Sequence, residues 1–162
     1  MPTSCSVATG LGVHTHPFGT RALDSSGDTW IYVKASTTAV VGSLVFCAPG
    51  ADPWQATLLS TGGLGISTVQ GALLGVQGAT AHSTTQDVWI QTAGTLSALL
   101  DTTAAAAGIS LFLSTTLAGA LSVTTTGARV FGAYISATGG AGGTAPVLVT
   151  VQAPNGLTVN IA

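Results

Sequence analysis

Charge is what this sequence lacks most. Its 162 residues include three Lys and Arg, five Asp and no Glu, so that charged residues make up 5% of the chain. An average soluble domain has about a quarter. Three basic side chains cannot neutralise a run of phosphates, so we do not expect direct nucleic-acid binding. A surface with so little charge also favours association between copies, because little electrostatic repulsion keeps them apart.

Long apolar runs, a secretory leader and a cysteine framework are also missing. The best membrane-helix candidate, residues 104–113, is too short, so we expect no membrane partner. The first 19 residues have neither a basic start nor a continuous apolar stretch, and Sec export is not expected. Cys5 and Cys47 are too few for a disulfide framework, and we predict reduced, buried thiols. The chain is nevertheless 46% hydrophobic, which predicts folding rather than disorder.

What is present is a succession of short strand-forming runs separated by Gly, Thr, Asn and Pro. This pattern predicts an all-β fold: a single β-sandwich or β-barrel domain of short antiparallel strands over residues 20–162. Residues 1–19 show no sustained periodicity and contain several Pro and Gly residues, so we predict an extended N-terminal arm. Such an arm is ordered only where it lies on something else.

Three local predictions concern the second half of the chain. "RVFGAYISA", residues 129–137, alternates as one strand, with Phe131 and Ile135 on one face and Val130 and Tyr134 on the other. Residues 104–107 form at most one helical turn, because Gly108 follows immediately. Residues 138–146 are rich in glycine but lack a following helix or lysine, so we expect a loop that binds no phosphate.

Two further patterns concern strand pairing. The pair Asn155-Gly156 lies between "VLVTVQ" and "LTVNIA" and predicts a C-terminal β-hairpin. Residues 28–46 and 87–113 share the order Asp-x-Trp-Ile, Thr-Thr-Ala, and then Gly with an apolar strand. The weak repeat predicts two similar hairpin-like units in one domain.

The stretch "RALDSSGDTWIYVKA" holds half of the charged residues. Asp24, Ser26 and Asp28 present oxygens at alternate positions, as the start of a calcium loop does. An EF-hand needs Gly at the sixth position and Glu at the twelfth, and neither is present. A general acid and base pair would need a cleft, whereas this segment has the composition of an exposed turn. We therefore prefer a turn between two strands and keep calcium as an alternative.

Histidine offers two other candidate sites. His14 and His16 lie on the same side of an extended segment and could supply two metal ligands, which a trimer would complete on its axis. His82 lies close in sequence to Asp87, but no Gly-x-Ser-x-Gly elbow accompanies them. We prefer a contact surface for the first pair and no hydrolytic role for the second. No catalytic, cofactor-binding or metal-ligating residue is assigned, and no cofactor is expected.

The three tryptophans have two interpretations. Trp30, Trp54 and Trp89 could line a sugar-binding face, because aromatic rings stack on apolar sugar surfaces. Tryptophans on strands are more often anchors of a core or of a subunit interface, and we prefer that interpretation.

Four motifs follow one another along the chain: "PFGTRALDSSGDTWIYVKASTTAVVGSLV", "DVWIQTAGT", "GISLFLSTTLAGALS" and "GARVFGAYISAT". Their order resembles that of small capsid decoration (cement) proteins of tailed bacteriophages. The motifs span about residues 17–138, although each is short. The long segment 50–69 and the N-terminal arm depart from the family pattern.

The resemblance implies a structural protein and not an enzyme. Such proteins are usually homotrimers on the outer surface of the phage head, where they bridge major capsid proteins and stabilise the expanded shell. It implies synthesis in the host cytoplasm and a place in the virion. We expect the arm to lie on a neighbouring subunit, with Trp89, Phe112 and Tyr134 in the core or the trimer seam. The alternative is a carbohydrate-binding or fibre-like adhesion module on the virion surface.

Overall fold

The fold is described from a computed structural model that covers residues 16–47, 52–61, 73–77, 87–101, 106–131, 133–135, 146–151 and 158–160. These residues form twelve strands and, among them, no α-helix. In chain order the strands are β1 (Arg21–Leu23), β2 (Thr29–Ala35), β3 (Leu44–Cys47), β4 (Gln55–Leu58), β5 (Leu73–Gln77), β6 (Asp87–Leu99), β7 (Leu111–Leu113), β8 (Leu121–Ser122), β9 (Arg129–Phe131), β10 (Ala133–Ile135), β11 (Pro146–Val151) and β12 (Thr158–Asn160). The prediction of an all-β fold is confirmed.

The strands form two sheets. The larger has eight strands in the order β1-β2-β4-β3-β5-β6-β11-β10, and the smaller has four in the order β12-β9-β7-β8. Because β2 also pairs with β6, the strands β2, β4, β3, β5 and β6 form a ring of pairings. Two of its junctions, β2–β4 and β5–β6, consist of two residue pairs each, so the ring is not a fully closed barrel wall. The choice between sandwich and barrel stays a prediction.

Alternation along β2 and β6 places the main core on one face of this pair. Ile31 and Val33 of β2 lie opposite Ile90 and Val88 of β6, and all four are fully buried. They pack in one cluster with small and apolar residues of β2, the β2–β3 connection, β3 and β4: Ala35, Ala39, Val45, Cys47 and Ala56. Strand residues two apart point to the same face, so one face of the β2–β6 pair supplies most of this core.

The opposite face of the β2–β6 pair is buried as well. Tyr32 lies directly opposite Trp89 in the register, and these side chains are 0% and 8% exposed. A strand buried on both faces has apolar residues in succession, which matches "WIYV" in β2 and "VWI" in β6. This second face contacts the residues that precede β1.

Strand β6 pairs with three other strands and changes partner along its length. Its first half pairs with β2 and β5, and Gly94 to Leu99 pair with β11. Gly94 lies at the change of partner with φ +106°, and a side chain there would overlap the carboxylate of Asp28. Asp28 Oδ1 accepts a hydrogen bond of 3.1 Å from the backbone N–H of Thr95. The turn that contains Asp28 is thereby bonded to β6, the longest of the described strands, at the point where β6 changes partner.

The smaller sheet is attached to the larger one by backbone hydrogen bonds. The Gly119 N–H donates to Leu59 O and Gly119 O accepts from the Leu44 N–H, at 2.8 and 2.7 Å. Leu100 forms a parallel bridge with Leu121, and the Asp101 N–H donates to Leu121 O at 2.9 Å. The leucines at this junction are buried, so the two sheets share apolar contacts as well as hydrogen bonds.

Several pairing predictions were wrong. The C-terminal hairpin is absent as a pairing, because β11 joins β6 and β10 in the larger sheet whereas β12 joins β9 in the smaller one. "RVFGAYISA" is two strands in different sheets, and Val130 is buried whereas Tyr134 is 39% exposed. Asn-Gly favours a tight turn locally, but strand partners are chosen by burial over the whole chain.

The predicted hairpin-like repeat units are also not found. The segments that begin at Asp28 and Asp87 contribute β2 and β6, which pair with each other. Strand β2 runs parallel to β4, so the prediction of antiparallel strands fails at this junction. Residues 102–105, 136–145 and 152–157 lie outside the described residues, which leaves the helical turn, most of the glycine-rich loop and the Asn155-Gly156 turn as predictions.

The smaller sheet makes a sharp prediction about one glycine. A side chain at Gly127 would overlap the carbonyl oxygen of Leu113 in β7, and backbone cannot move aside as a flexible side chain can. Gly127→Ala should therefore lower the free energy of unfolding by about 2 to 4 kcal/mol, measured by denaturant titration. Gly27→Ala is the control, because its φ of +86° is strained for alanine but nothing lies within 4 Å. It should cost about 1 kcal/mol. Equal losses in both variants would contradict the packing of Gly127.

Candidate functional site

The residues just before β1 form the most distinctive local structure of the described chain. Residues 17–20 make a turn in which the Thr20 N–H and hydroxyl both donate to Pro17 O, at 3.1 and 2.6 Å. Gly19 takes φ +82°, and a Cβ there would lie 2.5 Å from Cζ2 of Trp54. The turn therefore requires glycine both for its backbone angle and for the close approach of the indole.

His16, just before this turn, and Phe18, within it, lie on the second face of the β2–β6 pair. The His16 ring makes edge contacts with Tyr32 and Trp89, with ring centroids 5.5 and 5.4 Å apart. Phe18 stacks on Tyr32 at 5.8 Å, and Tyr32 lies 5.2 Å from Trp89. Pairs at such distances contribute about 0.5 to 1.5 kcal/mol each beyond the area that they bury. We call His16, Phe18, Tyr32 and Trp89 the aromatic cluster.

Polar contacts fix the cluster on its strands. The Tyr32 hydroxyl donates to Asp87 Oδ2 at 3.2 Å, across the first residues of β6. The Gly19 N–H donates to Tyr32 O at 2.8 Å, and the Tyr32 N–H donates to Thr20 O at 2.9 Å. The segment before β1 is thus held by backbone bonds from Gly19 onward and by ring contacts at His16 and Phe18.

The Asp24 to Asp28 segment is a turn, as predicted. Asp24 Oδ1 accepts from the N–H groups of Ser26 and Asp28 at 2.8 and 3.0 Å, and Oδ2 accepts from Trp30 Nε1 at 3.0 Å. Arg21 to Leu23 and Thr29 to Ile31 pair as an antiparallel hairpin around it. Asp24 and Asp28 are half-buried and are not the freely exposed groups that the sequence suggested, because each carboxylate accepts hydrogen bonds from its own chain.

The hydrogen bond from Trp30 holds the pKa of the Asp24 carboxyl below its usual range, with further help from the backbone N–H groups of Asp28, Ser26 and Gly27. Within the described ranges, no three His, Cys, Asp or Glu side chains come together as a metal site would require. His14 lies outside the described residues, and the calcium and histidine-metal alternatives stay hypotheses.

The tryptophans occupy three different environments. Trp89 is buried in the aromatic cluster, whereas Trp54 is half-buried between Gly19 and the main core. Trp30 is half-buried, and its indole N–H is bonded to Asp24. Trp89 is a core residue, as the preferred interpretation expects. For the half-buried Trp30 and Trp54, the role of core or interface anchor stays a prediction. Of the other two residues expected in the core or the seam, Phe112 is half-buried and Tyr134 is 39% exposed.

The remaining candidate residues are only partly described. Asp87 accepts from Tyr32, while His82 lies outside the described residues, so the hydrolytic alternative is not tested. Cys47 is buried and free, as predicted, and Cys5 lies outside. Burial raises the pKa of the Cys47 thiol to about 12, with a further contribution from the negative charge of Asp52. No helix of the described chain is long and apolar enough to cross a membrane.

Most charged side chains of the described residues form hydrogen bonds within the chain. Four of the five aspartates accept hydrogen bonds from its own donors: Asp24, Asp28, Asp87 and Asp101. Arg129 Nη2 donates to the Ser110 hydroxyl at 3.2 Å. In contrast, large apolar side chains are exposed at Leu23, Val40, Val41, Ile109 and Tyr134. Ile109 follows Gly108, whose N–H donates to Ile135 O, so Ile109 and Tyr134 flank one backbone hydrogen bond.

No protein-family model matches this chain, and no curated protein matches it. The resemblance to capsid decoration proteins therefore stays a prediction from the residues. Sequence reasoning missed the part that Phe18 plays in the aromatic cluster, and it missed the bond between Asp28 and Thr95. A phenylalanine in the Pro-Phe-Gly turn before "WIYV" was the available signal for the first.

The lowered pKa of Asp24 predicts a stability change in acid. A carboxylate whose folded pKa is depressed contributes stability above its unfolded pKa, which is near 3.8, and loses that stability as the pH falls through its folded pKa. Unfolding titrations between about pH 2 and 6 should show a smaller acid loss for Asp24→Asn than for the unmodified chain. Trp30→Phe removes the donor while keeping a ring, and it should reduce the loss partly. An acid loss unchanged in both variants would contradict the assigned hydrogen bonds.

The raised pKa of Cys47 predicts an unreactive thiol. In a Cys5→Ser variant, a thiol reagent at pH 8 should modify Cys47 only as fast as the domain opens, because the folded thiol is almost wholly protonated. The same chain in denaturant is the control and should react at the rate of a free thiol. Complete modification of the native protein at that control rate would contradict the burial of Cys47.

Proposed function

We propose that this chain is a capsid decoration protein of a tailed bacteriophage. In this proposal it binds the outer surface of the expanded head as a homotrimer, bridges major capsid proteins and carries out no catalysis. The observation that carries the proposal is an all-β domain of minimal charge whose aspartates mostly serve its own turns and strands, while large apolar side chains stay exposed. The motif order that resembles the cement family supplies the partner.

The exposed apolar residues give the proposal a physical basis. Val40 and Val41 are adjacent and 53% and 37% exposed, and Ile109 and Tyr134 are each 39% exposed. Single exposed apolar residues are common on soluble proteins, but paired ones on an almost uncharged surface favour contact with another protein. Burying apolar surface stabilises a contact by roughly 25 cal/mol per Å², before the cost of association is subtracted.

A partner that fits only the expanded shell would stabilise that state through mass action. Each decoration subunit that binds across a joint between capsid proteins adds the free energy of its binding to the expanded form and nothing to the unexpanded one. Many weak contacts of this kind together oppose the pressure of packaged DNA. Stabilisation of this kind comes from binding alone and requires no catalytic group.

The adhesion alternative receives less support. A sugar-binding face would be expected to expose aromatic rings, whereas Trp89 is 8% exposed and the indole N–H of Trp30 is used by Asp24. Tyr134 is the most exposed large aromatic side chain of those described. A glycan array in which binding is reproducible and is lost in Tyr134→Ala would favour adhesion over decoration.

Sedimentation with capsids tests the proposal. Purified protein should co-sediment with expanded heads assembled from the major capsid protein of the same genome, and binding should saturate at a fixed number of copies per head. Unexpanded shells are the matched control and should bind at least about tenfold more weakly, because the binding surface forms on expansion. Light scattering of the free protein should give a trimer mass. Absence of co-sedimentation at micromolar concentration, or equal binding to both shells, would contradict the proposed function.

A further inference from the structure

The aromatic cluster joins the residues before β1 to the β2–β6 pair, a contact that the β1–β2 hairpin by itself does not make. From Gly19 onward, backbone hydrogen bonds to Tyr32 hold the chain against β2. Residues 17–20 form a turn. The His16 ring contacts Tyr32 and Trp89, and the Phe18 ring stacks on Tyr32. The direction of the chain at residue 16 is therefore set by a turn and by two side chains.

We propose that residues 16–19 act as a latch, which closes over Tyr32 and Trp89 and holds the root of the first 15 residues beside the start of β6. Opening the latch requires the turn at Gly19 to unfold and the two rings to leave their contacts. Tyr32 and Trp89 would then be exposed to solvent, while the residues on the core face of β2 and β6 would stay packed.

Three features of the site support a latch in preference to an incidental contact. The turn requires glycine at position 19, because φ is +82° and the Trp54 ring occupies the space of a side chain. Phe18 is stacked nearly parallel to Tyr32, at 22° between ring planes. The hydroxyl of that same Tyr32 is anchored on Asp87 at the first residue of β6. The seat of the latch is thus fixed on both strands of the central pair.

The latch also deepens the proposed function, and this part rests on it. Fifteen residues can span at most about 50 Å when fully extended, which is enough to reach a neighbouring subunit from a fixed root. A root held beside β6 limits the neighbours that this segment can reach. A force applied to the first 15 residues would also be transmitted to the β2–β6 pair, whose other face carries the main core.

Trypsin offers a direct test on the free, full-length protein. The chain has three Lys and Arg, and Arg21 is the first residue of β1, two positions after the latch. Phe18→Ala should raise the rate of cleavage after Arg21 about tenfold, because loss of the stacked ring favours opening and cleavage follows the population of the open form. Phe18→Tyr keeps the stacked ring and is the matched control, with a rate within about twofold of the unmodified chain.

Amide hydrogen exchange separates a local latch from general destabilisation. In Phe18→Ala, exchange at the Gly19 N–H should accelerate about tenfold while the amide of Ile90, in the β2–β6 pair, keeps its protection. Unchanged cleavage after Arg21, or acceleration at Gly19 and Ile90 by the same factor, would overturn the latch. These measurements need no capsid, so a failure to bind heads would refute the proposed function and leave the latch standing.

Discussion

The antiparallel pairing of β2 with β6 is the contact on which the rest of the structure depends. Its inner face carries Ile31 and Ile90 into the main core, and its outer face carries Tyr32 and Trp89 into the aromatic cluster. Because both faces are buried, the pair cannot shift register by one residue without exchanging core residues for aromatic ones. The ring of strands, the hairpin of β1 and the second half of β6 are all positioned by this one pairing.

Scarcity of charge shapes what the remaining charges do. Asp24 organises its turn, Asp28 bonds β6 where that strand changes partner, and Asp87 accepts from Tyr32, so three carboxylates each serve a structural purpose. Asp24 accepts from three N–H donors, which stabilise its charged form. Among the described residues, the exposed charged side chains are Arg21, Lys34, Asp52 and Arg129. The rest of that exposed surface is mostly uncharged and includes large apolar side chains, so little electrostatic repulsion opposes contact with another protein.

The sequence predicted what is local and failed at what is distant. Strand composition identified the all-β class, and the Asp24 to Asp28 turn follows from residues that hydrogen-bond their own backbone. The partners of β11 and β12 could not be predicted from Asn155-Gly156. A turn signal depends on two neighbouring residues, whereas the sheet that each strand joins depends on pairing with residues far away in the sequence. The contact of Phe18 was missed as well, because the Pro-Phe-Gly turn indicates an aromatic residue close to β2 but does not identify the ring on which it packs.

The central claim is that this chain lies on the outside of a phage head. A cryo-EM map of the native particle, at a resolution that traces β-strands, tests it most directly. The account predicts that β2 and β6 fit density on the outer surface of the shell, in trimers placed across joints between major capsid proteins. Density for the domain in the tail or inside the shell, or a head whose every outer protein is accounted for by other chains, would contradict it.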